Sequence, residues 1–572
     1  MSTVSDGTHT GTYSYLANSP LVEQIAFDQS GTTRMISTKA HDFANRLTSI
    51  GHADGQAATL ASRAYGYNAA NQRTNVVHED NSYWSFGYDN LGQVNSGKKR
   101  NGANQLYPGL QYEFDHDDIG NRTETRTGGD ANGGSLRTAK YTPNKLNQYQ
   151  QREVPGFIEV QGTAAANATV TVNGQTTERL GSFYRKELFA DNVGGPLAVG
   201  ITNTAVIPGG GPGGEDLVKE ETGTRLHSST PEVLSHDADG NLLADSRWNY
   251  TWNGENRLIE QTSSTNLPAA KRRKLVFTYD PQGRRISKSV LVWDSVTSTY
   301  LPLSDVAFVY DGWNLIAEIE SGNVKNSYTW GLDLSGTEHG AGGVGGLLFF
   351  SQVSGAQPST HFVGHDGNGN VILLADAASG IATAEYEYSP FGKVVRATGS
   401  MALVNPFHFS TKYQDDETGF NYYGHRFYNP DAGRWLKRDP IKERGGKNLY
   451  AFVQNEPVSH IDLFGLQGSR CRKKCGNRTY NPTTHCCCKG KVLSKKPVNT
   501  GMRICTGWSV TGLPLWHTWI EIDGNWSADF DDNGVKAPAG PAYLAMPEGE
   551  KDWLGPQEMV PEAGFEPATK GL

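Results

Sequence analysis

One phrase recurs along this chain and limits what it can fold into: an aromatic-x-aromatic group, Asp or Asn, two or three residues including Gly, and then a polar or basic restart. Its copies include Tyr65-Gly-Tyr67-Asn68 with Asn71-Gln-Arg73, Phe86-Gly-Tyr88-Asp89-Asn-Leu-Gly92, and Tyr112-Glu-Phe114-Asp115 leading to Gly120-Asn121-Arg122. Further copies are His236-Asp237-Ala-Asp-Gly240-Asn241, Tyr250-Thr-Trp252-Asn253 with Asn256-Arg257-Leu258, Phe277-Thr-Tyr279-Asp280-Pro-Gln-Gly283-Arg284, and Phe308-Val-Tyr310-Asp311-Gly312. Alternating aromatics point to one face of a strand, and Asp or Asn followed by Gly supplies the reversal, so each copy reads as a hairpin. A lone hairpin is marginal in water, but stacked neighbours bury a common face. The phrase predicts one long coiled sheet with ladders at the aromatic-Asp and Gly-Asn-Arg positions.

Composition agrees with this. At 572 residues the chain exceeds one ordinary core, and 10% aromatics, 67 glycines and no long helical period favour short strands joined by turns. A formal charge of -8 gives no general polyanion-binding signal, so nucleic acid is not expected as a partner of the body. The start, Met1-Ser-Thr-Val-Ser-Asp-Gly, lacks the basic and apolar regions of a signal peptide, and no window reaches a spanning length, so no membrane span is expected. All six cysteines lie between Cys471 and Cys505, marking a compositional boundary.

The series resembles the YD repeats of RHS proteins, teneurins and the C components of bacterial toxin complexes. That resemblance spans about Gly11 to Leu466 and implies an all-β fold: a spiralling antiparallel β-shell enclosing a cavity in which a C-terminal polypeptide is held. One stretch, residues 154–226, lacks the phrase. Its alternating strands Ile158-Glu-Val160, Ala168-Thr-Val-Thr-Val172 and Leu197-Ala-Val-Gly-Ile201, with Asn173-Gly174 as a turn, predict an inserted small Ig-like β-sandwich. Gly209-Gly-Gly-Pro-Gly-Gly214 reads as a flexible return linker, since no Lys-Ser/Thr follows it as in a phosphate loop. The expected organisation is shell at 1–153, sandwich at 154–226, shell at 227–412, core motif at 413–466, and a variable α+β or irregular Cys-containing domain at 467–572.

The densest motif runs Gly419-Phe-Asn-Tyr-Tyr-Gly-His425-Arg426-Phe-Tyr-Asn-Pro430-Asp-Ala-Gly433-Arg434-Trp435, then Asp439-Pro440, Gly445-Gly446-Lys-Asn448-Leu-Tyr450, Asn455-Glu-Pro457 and Asp462-Leu-Phe-Gly465-Leu466. It resembles the RHS repeat-associated core, which plugs one end of the shell and cleaves itself after the final Gly-Leu. The resemblance implies that Arg426, Asp439 and Asp462 are catalytic, with cleavage between Leu466 and Gln467. Two neighbouring carboxyls share a proton, so one can act as base toward water and the other as acid, while Arg fixes one as the anion. Leu463 stands where this ending usually has Pro, leaving the backbone at Asp462 less constrained. Upstream, His365-Asp366 could ligate a metal, but Gly367-Asn-Gly-Asn370 is turn chemistry.

The last 106 residues differ in kind. Gln467 to Arg503 holds ten Lys/Arg and no Asp/Glu, and the remainder holds three Lys and eleven acidic residues. Three readings stand open for this tail. A Cys/His hydrolase or acyltransferase would use Cys505, or one of Cys486 to Cys488, with His517 as base and Asp523 or Asp529 orienting it. A structural zinc site would draw on Cys471, Cys475, His485 and Cys486. Structural thiols, including disulfides outside the cell, form the third. No other cofactor is expected. The resemblance to RHS proteins implies that a tail in this position is an enclosed effector, secreted or surface-exposed as part of a longer precursor, with an immunity protein and secretion-system components as partners. The alternative is a teneurin-like adhesion protein with an inert tail.

Overall fold

The computed structural model describes residues 1–355 and 357–466, and gives backbone strands alone beyond them. The repeated phrase resolves into one recurring five-residue turn. At Asp89 the N–H bonds the Gln93 carbonyl (2.9 Å) and the Gly92 N–H returns to the Asp89 carbonyl (3.0 Å). The Asp89 carboxylate accepts the N–H groups of Leu91 and Gln93, both at 2.9 Å. The same side-chain pattern repeats at Asp117, Asn144 and Asp366. The fourth residue is left-handed, and is glycine at Gly92, Gly120, Gly240 and Gly283 or asparagine at Asn71, Asn104, Asn147 and Asn256. Those two residue types tolerate that conformation at least cost.

The aromatic that precedes each turn ties its repeat to the one before. Its polar tip donates to the carbonyl of the residue just after the preceding turn: Tyr67 to Leu47 (2.7 Å), Tyr88 to Arg73 (2.5 Å), Tyr279 to Leu258 (2.6 Å), Tyr310 to Arg285 (2.9 Å) and Tyr388 to Val371 (2.5 Å). Trp252 and Trp330 do the same with indole N–H groups, to Leu242 and Leu315, each at 2.7 Å. A ring therefore fills the inner face while its polar edge satisfies a backbone group.

Two 14-stranded antiparallel sheets result. The first runs in chain order from Thr3–Ser5 to Tyr149–Arg152 and ends on Glu232–Val233; the second runs in chain order from Ser235–His236 to Val394–Thr398. They meet along an apolar seam of Tyr13, Ile25, Phe27 and Met35 against Leu348, Phe349, Phe362 and Leu373. Each buried side chain of this size contributes about 1.5–3 kcal/mol. Beside the seam, Lys99 pairs with Glu387 (2.6 Å), whose carboxylate also accepts the Trp84 indole N–H (2.8 Å).

Between the sheets in sequence, strands from Phe157–Thr163 to Leu217–His227 form sheets of three and four strands around Ile158, Val160, Val170, Val172, Tyr184 and Leu188. The glycine run expected to be a return linker is instead a hairpin tip. Strands Leu197–Ile207 and Leu217–His227 pair through eleven residues on either side of it, and left-handed Gly209 and Gly214 close the reversal. Among the described residues no helix is long and apolar enough to cross a membrane.

Residues 413–466 pack across the turn ends of both sheets, and they do so by reading one atom. The left-handed fourth residue presents its carbonyl outward. Asn455 donates to Gly120 (2.8 Å), Arg434 to Asn147, Tyr450 to Gly240 (2.8 Å) and Lys437 to Asn256 (2.6 Å). Buried Arg285 of the second sheet pairs with buried Asp415 (2.7 Å) amid the rings of Phe277, Phe308, Tyr413 and Tyr422.

Candidate self-cleaving centre

The three residues singled out from the core motif lie in one buried cluster. Arg426 opens the strand Phe427–Asn429 and rests on an aromatic floor, its guanidinium carbon 4.2 Å from the centre of the Trp435 ring. Left-handed Gly424, two residues earlier, lets the backbone pass Trp313, where an added methyl would sit 2.8 Å from the indole. Asp439 follows the strand Arg434–Trp435, its N–H bonded to the Leu449 carbonyl (3.0 Å). Asp462 ends the short strand Ile461–Asp462, which pairs antiparallel with Gly468–Ser469.

One guanidinium nitrogen, Nη2 of Arg426, lies 2.8 Å from Asp439 Oδ2 and 3.4 Å from Asp462 Oδ2. The arginine thus contacts both carboxyls, where the sequence reading had it fixing one. The backbone distinguishes the two. Asp462 Oδ1 accepts the N–H groups of Phe464 (3.2 Å), Gly465 (2.8 Å) and Leu466 (3.0 Å). Asp439 accepts one backbone N–H, from Ile441 (3.0 Å), and burial pushes its carboxyl up to about 6. Burial also draws Arg426 below its ordinary value, against the opposing pull of Asp462 and Asp439.

The end of the motif is held from several sides. Arg426 Nε donates to the Gly465 carbonyl and Nη1 to that of Leu449 (3.2 Å). Lys412 donates to the carbonyls of Leu463 (2.8 Å) and Gly342 (2.7 Å). A methyl placed on Gly445 would fall 2.3 Å from Asp439 Oδ2 and 2.9 Å from the carbonyl oxygen of Leu466, so both oxygens flank the spot that this glycine leaves open. Leu463 does not leave the turn slack, because the amides that close on Asp462 belong to residues 464 to 466 and the Leu463 side chain packs on Ala341, Val344 and Ile461.

Sequence reasoning missed Lys412, Gly342 and Gly445. Gly445 stood in the quoted motif without a role, and nothing local marks Lys412, whose partners lie 51 and 70 positions away. The remaining metal candidate of the body, His365-Asp366, forms a turn in which the Asp366 carboxylate accepts the N–H groups of Asn368 (2.8 Å) and Asn370 (2.9 Å). Among the described residues no group of three or more His, Cys, Asp or Glu could hold a metal. The tail candidates Cys505, His517 and Asp523, and the ligand set Cys471, Cys475, His485 and Cys486, lie outside the described residues.

No protein-family model matches the chain. Among curated proteins it is 31% identical over 261 residues to double-stranded DNA deaminase toxin A of Burkholderia cenocepacia (strain H111), covering 43% of this chain and 18% of that protein. It is 29% identical over 250 residues to the tRNA3(Ser)-specific nuclease WapA of Bacillus spizizenii, covering 42% of this chain and 9% of that one. The match thus spans less than a fifth of either relative. Among solved structures, the TcdB2-TccC3-Cdc42 crystal structure aligns with 81% of this chain and 22% of that one, at 17% identity and a TM-score of 0.37. In its repeated turns and the core packed across them, and through its curated matches, this chain is similar to RHS-repeat proteins.

Proposed function

We propose that the chain is the shell of a toxin-delivery protein that cuts itself after Leu466 and so frees residues 467–572 as an effector. The observation that carries the reading is a buried, arginine-linked carboxyl pair of which Asp439 Oδ2 flanks, with the Leu466 carbonyl oxygen, the same space beside Gly445. In this mechanism Asp439, whose carboxyl burial pushes up to about 6, in its protonated form donates a hydrogen bond to the Leu466 carbonyl oxygen and polarises it. Water adds to the carbonyl carbon while the Asp462 carboxylate takes its proton. The Leu466–Gln467 bond then breaks, the nitrogen of Gln467 receives a proton, and Leu466 is left as a carboxylic acid. Arg426 holds both carboxyls in place and limits the cost of the negative charge between them. Each chain reacts once and on itself.

The relatives point the same way for delivery. One is named a DNA deaminase toxin and another a tRNA nuclease, and each is far longer than the matched part. On this reading the present tail is an effector, exported within a longer precursor in competition between bacteria and countered by an immunity protein. Mass spectrometry of the expressed chain is expected to show a fragment beginning at Gln467, and Asp439→Asn or Asp462→Asn an intact chain. An uncleaved wild type would refute self-cleavage. Expression of residues 467–572 alone is expected to arrest growth; harmless expression would instead favour an adhesive shell with an inert tail.

A further inference from the structure

The connection between strands Asn323–Trp330 and Leu347–Gln352 is a glycine-rich loop, residues 331–346, that belongs to the second sheet and not to the core. Asp333 organises it, accepting the N–H groups of Ala341 (2.6 Å) and Gly343 (3.3 Å) on one oxygen and of Ser335 (2.9 Å) on the other. So shaped, the loop touches the core a few residues before the bond proposed to break. A methyl on Gly342 would fall 2.4 Å from the Leu463 carbonyl oxygen. The Lys412 ammonium bridges that same oxygen (2.8 Å) and the Gly342 carbonyl (2.7 Å), beside the rings of Tyr423 and Phe464. The loop is tied once more to the 408–412 segment, where the Gly345 N–H donates to Thr411 Oγ1 (2.9 Å).

The backbone polar groups of the final turn can be followed one by one. The amides of 464, 465 and 466 close on Asp462, and the carbonyl of 465 on Arg426. The carbonyl of 463 is held by Lys412, and that of 466 lies beside the space that Gly445 leaves next to Asp439. The arginine and both carboxyls come from the core. The hold on residue 463 comes from Lys412, whose ammonium the shell loop anchors at the Gly342 carbonyl.

We infer that loop 331–346, through Gly342 and the Lys412 ammonium, is a positioning clamp that fixes Leu463 and makes self-cleavage depend on a completed second sheet. The inference rests on the self-cleavage reading. Lys412 is a positioning residue, since it touches the backbone three residues before the reacting carbonyl. Because the loop joins two strands of the second sheet, the centre stays incomplete until those strands are in place, and cutting follows formation of that sheet.

The test uses the full-length chain, refolded from urea by dilution, with cleavage followed by the appearance of the C-terminal fragment. Lys412→Met keeps the length of the side chain and removes its donors, so cleavage should slow by about tenfold to hundredfold, the range for losing a buried charged hydrogen bond. Gly342→Ala should slow it comparably. Gly336→Ala is the matched control, in the same loop with a left-handed φ of 76° but nothing within 4 Å of the added methyl, and should cleave within about twofold of wild type. Equal slowing of Gly342→Ala and Gly336→Ala would reduce the effect to backbone strain and overturn the clamp, as would Lys412→Met cleaving at the wild-type rate. A second readout does not need cleavage. In the intact Asp439→Asn chain, adding Lys412→Met should speed hydrogen exchange at the amides of 464 to 466 by about tenfold, while the turn at Asp89 is unchanged. If the wild-type chain stays whole, the self-cleavage reading falls and exchange alone decides whether the clamp exists; unchanged exchange overturns it.

Discussion

The pH dependence of cleavage is the sharpest consequence of the geometry at Asp439. Its carboxyl binds a proton more tightly in the fold than in the unfolded chain, because burial raises it from 3.8 to about 6 despite the opposing pull of Arg426. The sign follows from linkage. Stability from this group is complete below its unfolded value and is lost as pH rises through about 6. By pH 8 the loss amounts to about 3 kcal/mol, at about 1.4 kcal/mol per unit. The mechanism requires the protonated form, so the cleavage rate should level off below about pH 6 and fall nearly tenfold per unit above it. At pH 8, about one chain in a hundred carries the proton. The assay is a refolding jump into buffers between about pH 5 and 8.5, quenched in detergent and read as the fraction cut at Leu466. Tryptophan fluorescence, from a chain with twelve tryptophans, separates slow folding from slow cutting. A rate that is flat from pH 5 to 8, or that rises through 6, would refute the assignment of Asp439 as the proton donor.

Other perturbations test the neighbouring arguments. Arg426→Ala leaves two buried carboxyls facing each other, so the core should lose about 3–5 kcal/mol in chemical denaturation and the chain should stay intact. Arg285→Met breaks the buried pair with Asp415 and should weaken docking of the core on the second sheet by a similar amount, read as earlier protease access to 413–466. Tyr88→Phe removes one hydroxyl-to-carbonyl tie between repeats and should cost about 1 kcal/mol in thermal unfolding, with cleavage unaffected. Gly240→Ala should cost distinctly more than Gly174→Ala. Both glycines are left-handed, but a methyl on Gly240 would meet the Tyr450 hydroxyl at 2.5 Å while one on Gly174 meets nothing within 4 Å.

The all-β fold was legible because its information is local. Asp89 and Gly92 are three residues apart, and the side-chain and backbone bonds that close their turn stay within a five-residue stretch. The grouping of Arg426, Asp439 and Asp462 was legible through a motif that fixes their order. Reading the glycine run 209–214 as a linker failed because composition reports backbone freedom and not whether the flanking strands pair. Lys412 was invisible for a different reason: its partners are carbonyls, which every residue carries, so no side-chain identity at 342 or 463 announces the contact.

That same anonymity explains how the core can dock on an irregular repeat series. The repeats differ in nearly every side chain, yet each turn ends in a left-handed residue whose carbonyl points out of the sheet. Asn455, Arg434, Tyr450 and Lys437 bind that carbonyl at Gly120, Asn147, Gly240 and Asn256. What they recognise is therefore the turn conformation, and glycine or asparagine serves equally well. Two of these turns belong to the first sheet and two to the second, so a core meeting one sheet alone would keep some of its buried donors unpaired, at about 1–3 kcal/mol each. The contacts that seat the core thus favour assembly of both sheets before the centre is complete, and Lys412 adds a third demand, on the loop at Gly342. Deleting one repeat hairpin from the first sheet, Tyr83–Arg100, tests this coupling. The Asn455 contact depends on that hairpin through Gln93, which accepts from the same amide at 2.9 Å. Cleavage should slow even though Arg426, Asp439, Asp462 and Lys412 are all retained. Full-speed cleavage in that deletion would show that the core organises its own chemistry without reading the shell.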